Sequence, residues 1–238
     1  MGAARPPADC LIATKLSIPP GGWAALEDGA LRDHVRASAE RSAQELDRRP
    51  IDVLQVHNAT AEDAHRDALI EALEALREEG VVRLTGATVY SEPAALACAG
   101  AFDLVQVAMN VLDRRPEARV LPLARDRGTA VVARSALLHG VLTPAGRDLA
   151  GPFAPLREAA DAFRMAAGVS WEQLPAAAVA WLASRPDVHC VLLGPRDARE
   201  LDALLEAPRH GVPDGGWGSG LSAELLDPRR WPALEAVG

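Results

Sequence analysis

Lysine is almost missing from this chain: of 25 Lys and Arg residues, only Lys15 is a lysine. Arginine has displaced lysine elsewhere, so Lys15 is expected where a guanidinium cannot substitute. Arginine stays charged at any workable pH, whereas an ammonium can shift its pKa when desolvated and release a compact proton. Tyrosine is equally scarce, with Tyr90 the only one. The three cysteines, Cys10, Cys98 and Cys190, form no CxxC pair and cannot all be bridged, which points to reduced thiols in a cytoplasm. No stretch approaches the roughly 18 continuous apolar residues of a membrane span, and Met1–Pro7 carries no signal-peptide core. A concentrated basic face is also missing. The net charge is -8, the pI is near 5.3, and the arginines are scattered among acids, which argues against a nucleic-acid or anionic-membrane partner. His34, His65, His139, His189 and His210 show no metal-ligand spacing, so no metal is expected.

The hydrophobic content of 49% over 238 residues is enough for a substantial core. No low-complexity linker divides the chain, and a single domain over 1–238 is the simplest organisation, with a Pro/Gly/Trp-rich tail over 208–238. Short apolar runs alternate with helical patterns, as in parallel βαβ units. Strands are expected at 10–15, 51–57, 81–88, 103–109, 129–134 and 188–193. Helices are expected at 30–48, 64–79, 91–99, 116–127, 154–167, 172–184 and 197–206. The first strand is read as buried, delivering Lys15 to its C-terminal tip. Ile51–Val56 and Val188–Leu193 are nearly continuous apolar runs, as strands covered on both faces should be. Functional side chains of such sheets gather at the C-terminal strand ends, here Lys15, His57, Thr88, Met109-Asn110, Arg134-Ser135 and Gly194. The run Gly215-Gly216-Trp217-Gly218-Ser219-Gly220 does not lie between a strand and a helix, so it is read as a surface excursion rather than a phosphate-binding loop.

Lys15 and His57 stand on consecutive strand ends, and such a pair can orient and polarise a carbonyl oxygen. The segments Ile12–Lys15, Ile51–His57, Val82–Thr88, Phe102–Gln106 and Val131–Gly140 follow one another like the barrel strands of the aldo-keto reductase superfamily. The resemblance runs from about Cys10 to Ala207. It implies an α/β fold of the (β/α)8 TIM-barrel type, NADPH as cofactor, and reduction of a small-molecule carbonyl. In that family an Asp-Tyr-Lys-His tetrad supplies the proton. The resemblance makes Lys15 the lysine that lowers the tyrosine pKa, and His57 the residue that orients the carbonyl. It puts Thr88 and Gln106 against the nicotinamide carboxamide, and Arg134, Ser135 and Leu137 on the loop that wraps the cofactor. Gly194, with Arg196 or Arg199, falls where the family binds the adenosine phosphate, a role that suits a bidentate guanidinium.

The chain also departs from the family pattern. About 31 residues make one barrel unit, so two units need roughly 60, yet only nine residues precede the Lys15 strand. The expected barrel is therefore incomplete, with about six βα units, and without the units that bring the family's aspartate and tyrosine. Whether coding sequence upstream restores them is a question for the reading frame. Tyr90 is either a loop aromatic or, if its hydroxyl turns into the mouth, a substitute acid. Leu204 stands where the family offers an asparagine to adenine, which weakens the expected hold on the cofactor. Three functions follow: an NADPH-dependent carbonyl reductase; a redox-silent lyase, dehydratase, isomerase or cyclase using Lys15 and His57; or a non-catalytic subunit. The open strand edges lead to the expectation of a homodimer that covers them.

Overall fold

A computed structural model describes residues 9–206 and 211–231. Expectations placed on Met1–Pro7, on Ala207 and on the tail before Gly211 and after Trp231 lie outside the described residues. The elements in chain order are β1 (Ala13–Lys15), α1 (Asp28–Leu46), β2 (Ile51–Val56), α2 (Asp67–Glu78), β3 (Val82–Thr88), α3 (Glu92–Cys98), β4 (Leu104–Ala108), α4 (Pro116–Arg127), β5 (Ala130–Arg134), α5 (Ala154–Ala167), α6 (Leu174–Ala183), β6 (Cys190–Val191) and α7 (Ala198–Leu205). The strands are hydrogen-bonded in chain order, β1 through β6. Two compact units form: one from the chain up to Val107 with Arg119–Val131, the other from Ala108–Ala118 with the chain from Val132 onward.

In the first unit β1 to β4 pair in parallel, and Lys15, Gln55, Gly86 and Leu104 share one register. The start of β5 follows β4, since the Ala130 N–H donates to the Asp103 carbonyl at 2.9 Å. Ile51–Val56 is buried at every position because helices cover one face while the other turns inward. Helix α2 contributes Leu69, Leu73 and Leu76 at helical spacing, and α1 contributes Leu31 and Val35. Each such side chain stabilises the fold by about 1.5–3 kcal/mol on burial. Two carboxylates tie the strand starts together. Asp52, 5% exposed, accepts from the Ile12 N–H at 2.9 Å and pairs with Arg48 at 2.8 Å. Asp103 accepts from the Thr85 N–H at 2.7 Å and from Arg77 at 2.5 Å. Helix α3 starts on Ser91, whose hydroxyl accepts from the Ala94 N–H at 3.3 Å.

In the second unit Val132 and Ala133 of β5 pair with Cys190 and Val191 of β6. Helix α6 is buried over Leu174, Ala176–Ala178, Val179, Trp181 and Leu182. Arg114 and Arg185 lie over the Trp181 ring, 5.1 and 4.6 Å from its centroid. Helix α7 begins at Asp197, whose carboxylate accepts from the Glu200 N–H at 2.9 Å.

One expectation needs correction. The Lys15 strand is three residues long rather than six, and it is not buried: Cys10, Leu11, Ala13 and Lys15 are exposed. It has a partner on one side only, and among the described residues nothing covers its outer side; β6, two residues long and also an edge, is shortened for the same reason. The glycine-rich run lies at the surface, as expected, yet its backbone is packed against a neighbour. A Cβ on Gly218 would stand 1.8 Å from the Leu112 carbonyl oxygen, and the Trp217 ring lies 6.1 Å from Phe163. The glycine is there because two backbones touch.

Candidate active site

Side chains alternate along a strand, so Lys15, Gln55, Gly86 and Leu104, which share a register, also share a face. Two residues further on, the same parity puts His57, Thr88 and Gln106 on that face, with Thr88 and Gln106 paired in register. The first unit therefore brings four of the expected site residues, Lys15, His57, Thr88 and Gln106, to one end of its sheet. The register makes room for them at Gly86, where a Cβ would meet the Leu104 side chain at 2.7 Å and Gln55 Cγ at 3.1 Å.

The electrostatics of this end are set by desolvation. His57 is half-buried, and burial first, then the Lys15 ammonium, lowers its pKa, so its imidazole is neutral at neutral pH. Lys15 itself is exposed, and its ammonium meets no carboxylate or hydrogen-bond acceptor among the described residues. Gln106 and Gln55 are 5% and 4% exposed, and the carboxamide oxygen of each is buried without a donor. A buried acceptor left open at a strand end is a place for a ligand N–H or O–H. Thr88 is committed locally: its hydroxyl accepts from the Asn58 N–H at 2.8 Å and holds that residue at a φ of 57°. Tyr90, two residues past Thr88, is 45% exposed.

The loop after β1 is pinned across this end. The Leu16 N–H donates to the Gln55 carbonyl, and the Ser17 N–H to Ser38 Oγ, both at 2.9 Å. The Trp23 indole N–H donates to the His57 carbonyl at 2.9 Å, and Arg66 holds the Trp23 carbonyl at 2.8 Å. Gln55 was not among the residues expected from sequence. Its signal was present: a carboxamide inside an apolar strand that is buried throughout has to have a polar reason to be there.

The second unit carries a cavity of about 900 Å³, whose wall includes Ser135, Leu137, Gly194, Arg196, Glu200 and Leu204. That volume suits a ligand the size of a nucleotide. Ser135, Leu138 and His139 hold φ values of 60°, 43° and 50°, the left-handed region, where non-glycine residues cluster at functional loops. Buried Asn110 enforces the Ser135 turn. Its amide donates to the Ser135 carbonyl at 3.1 Å, and its oxygen accepts from the Leu112 and Asp113 N–H groups at 3.0 and 2.9 Å. Asn110 was legible only as a strand-end residue. Arg196 is turned toward Glu200, whose carboxylate accepts its backbone N–H at 2.7 Å and its Nε at 3.2 Å. Arg134 bonds Ser135 Oγ at 3.3 Å and, with the exposed Arg199, lies off the cavity wall. Leu204, 4% exposed, gives the wall an apolar patch where an asparagine would offer a polar edge. Among the described residues no cluster of three His, Cys, Asp or Glu could hold a metal ion, and no helix is long and apolar enough to cross a membrane.

Known proteins share this fold. A family model for the Aldo/keto reductase family matches residues 3–214. An uncharacterized oxidoreductase, YqkF, of Bacillus subtilis is 33% identical over 112 residues, 46% of this chain and 36% of that protein. The match thus spans about a third of that relative's length. Among solved structures, the holo form of aldo-keto reductase AKR11C1 from Bacillus halodurans superposes with a TM-score of 0.63 at 22% identity, over 84% of this chain and 68% of that one. The glycerol dehydrogenase AKR11B4 from Gluconobacter oxydans does so with a TM-score of 0.61 at 24% identity, over 73% of this chain and 58% of that one. The fold is α/β of the (β/α)8 type, incomplete, with six parallel strands among the described residues. By its sequence match and by its fold, this chain belongs to the Aldo/keto reductase family.

Proposed function

We propose that the chain is an oxidoreductase that reduces a small-molecule carbonyl with NADPH. The observation that carries this reading is the buried, open oxygen of Gln106, on the same face as Lys15 and His57 and in register with Thr88. A carboxamide oxygen in that state fits the amide N–H of a nicotinamide. Within the second unit, taken by itself, the cavity that Ser135, Leu137, Gly194 and Arg196 line has the size to hold a phosphate-bearing ligand. Leu204 and the Arg196–Glu200 pair make that hold a weak one. Arg134 and Arg199 would take part by turning toward the phosphates. When bound, the nicotinamide supplies the hydride. The neutral His57 donates a ring N–H to the carbonyl oxygen, and the Lys15 ammonium stabilises the charge that develops there. Tyr90 or water delivers the proton.

Titration of the protein with NADPH, read by fluorescence or calorimetry, tests this. Saturable binding is expected, weakened roughly tenfold in Gln106→Leu as one hydrogen bond to the carboxamide is lost. No binding at millimolar cofactor would remove the reading. A second reading is favoured by the Lys15 ammonium, which has no acid partner among the described residues. Lys15 and His57 then work without a cofactor, as acid and base of a lyase, dehydratase, isomerase or cyclase, and turnover without NADPH that disappears in Lys15→Arg identifies it. The exposed edges at β1 and at β6, with Leu11 and Leu192 on their flanks, support a homodimer in solution, which light scattering reads directly.

A further inference from the structure

Lys15 combines three properties that a proton-relay lysine does not need. It is the only lysine in the chain, its side chain is exposed on an edge strand, and no carboxylate among the described residues neutralises it. Beside it in register stands Gln55, 4% exposed, with a buried carboxamide oxygen that has no donor. One step further on the same face stands His57, whose pKa is lowered first by burial and then by the Lys15 ammonium. An amine that attacks carbonyls needs access, a nearby base to take its proton, and an acceptor for the hydroxyl that forms. Those three requirements are met by the exposed edge, His57 and Gln55 respectively.

The geometry points to Lys15 as a covalent carbonyl-binding residue that forms an imine with small aliphatic aldehydes, with His57 as proton shuttle. The Lys15 ammonium passes a proton to the imidazole, and the freed Nζ lone pair forms the N–C bond while the C=O π pair moves to oxygen. Nζ then loses a second proton as the oxygen gains one, giving a neutral carbinolamine whose hydroxyl donates to Gln55 Oε1. The imidazolium returns its proton to that hydroxyl, the C–O bond breaks, and water leaves. Overall one ammonium and one aldehyde become one protonated imine and one water, with no change of oxidation state. This activity requires no nicotinamide, so it stands apart from the cofactor reading and fails or succeeds without it.

The test is reductive trapping. The full-length protein is incubated near neutral pH with propanal and cyanoborohydride, and the rate of propylation is read by peptide mass spectrometry at Lys15 and at the α-amino group of the first residue. An unassisted lysine, with a pKa of about 10.4 against about 7.7–8.0 for an α-amine, holds less free amine and should lag behind. Lys15 is expected to react at least roughly tenfold faster than the α-amine, the lower end of what general acid–base assistance supplies. Lys15→Arg should lose the label on that peptide alone, and His57→Gln should slow Lys15 at least roughly tenfold with the α-amine unchanged. A wild-type ratio at or below one, or an unchanged ratio in a folded His57→Gln protein, would overturn the inference. If His57→Gln does not fold, the wild-type ratio decides alone.

Discussion

The indole N–H of Trp23 donates to the backbone carbonyl of His57 at 2.9 Å, so the loop that follows β1 is fastened to the end of β2 at the residue expected to orient a carbonyl. Trp23 is 4% exposed and meets the His34 ring edge-on at 6.0 Å, while His34 bonds the Ser17 carbonyl at 2.7 Å. Trp23→Phe keeps most of the apolar contact and deletes the donor. A net loss of about 1–2 kcal/mol is expected, since the His57 carbonyl is left without its partner. Urea unfolding measures it. An unchanged midpoint would show that water replaces the indole without cost.

Much of this architecture could be read from the residues. Among the described residues six strands and seven helices lie at the stretches where alternating apolar runs and helical spacing put them, with β1 and β6 shorter than expected. The burial of β1 was misjudged because Leu11 and Ile12 are apolar whether or not anything covers them; hydropathy records what a side chain prefers, not what its neighbours supply. The contact between Gly218 and Leu112 was invisible for another reason. It joins positions that no local pattern relates, and a glycine in a Gly/Trp-rich run is most simply a turn. Of the candidate site, the strand-end rule pointed to Lys15, His57 and Thr88, and the family resemblance to Gln106. The rule passed over Gln55 because that residue lies one step inside its strand.

The cysteines differ in a way that alkylation reads. Burial, and then the nearby Asp63 carboxylate, push the Cys98 thiol up to about 12, and its side chain is fully covered, whereas Cys10 and Cys190 are exposed. The thiolate is the reacting species, so Cys98 is protected both by access and by protonation. Iodoacetamide near pH 8 should modify Cys10 and Cys190 in the native protein and Cys98 only after denaturation. Native labelling at Cys98 would show that α3 opens readily.

His57 should leave a mark on stability as well as on chemistry. Its pKa in the fold lies below the unfolded value of about 6.5, so on acidification the unfolded chain takes up this proton first. The contribution is fully present above about pH 6.5 and declines as the pH falls toward the lowered folded value. The melting temperature of the wild type relative to His57→Gln should therefore decrease between about pH 7.5 and pH 5.5. The comparison cancels the carboxylates and the other histidines, which both proteins share. A difference that stays constant with pH would mean that His57 titrates alike in folded and unfolded chains.

The closest backbone approach in the tail makes the sharpest prediction about packing. A methyl group on Gly218 would stand 1.8 Å from the Leu112 carbonyl oxygen, 2.6 Å from its carbon and 2.8 Å from its Cα, all backbone atoms that no rotamer change can move aside. Gly218→Ala must therefore push the strap that carries Trp217 off the unit beneath it, at a cost of roughly 1–3 kcal/mol or more. Gly211→Ala is the matched control, since among the described residues nothing lies within 4 Å of the Cβ it would add. That substitution should fall within about 0.5 kcal/mol of neutral, or stabilise slightly by restricting the unfolded chain. Thermal melts of the two variants side by side separate steric displacement from a general intolerance of the tail to alanine. Equal effects at both positions would show that the Gly218 contact can yield without loss.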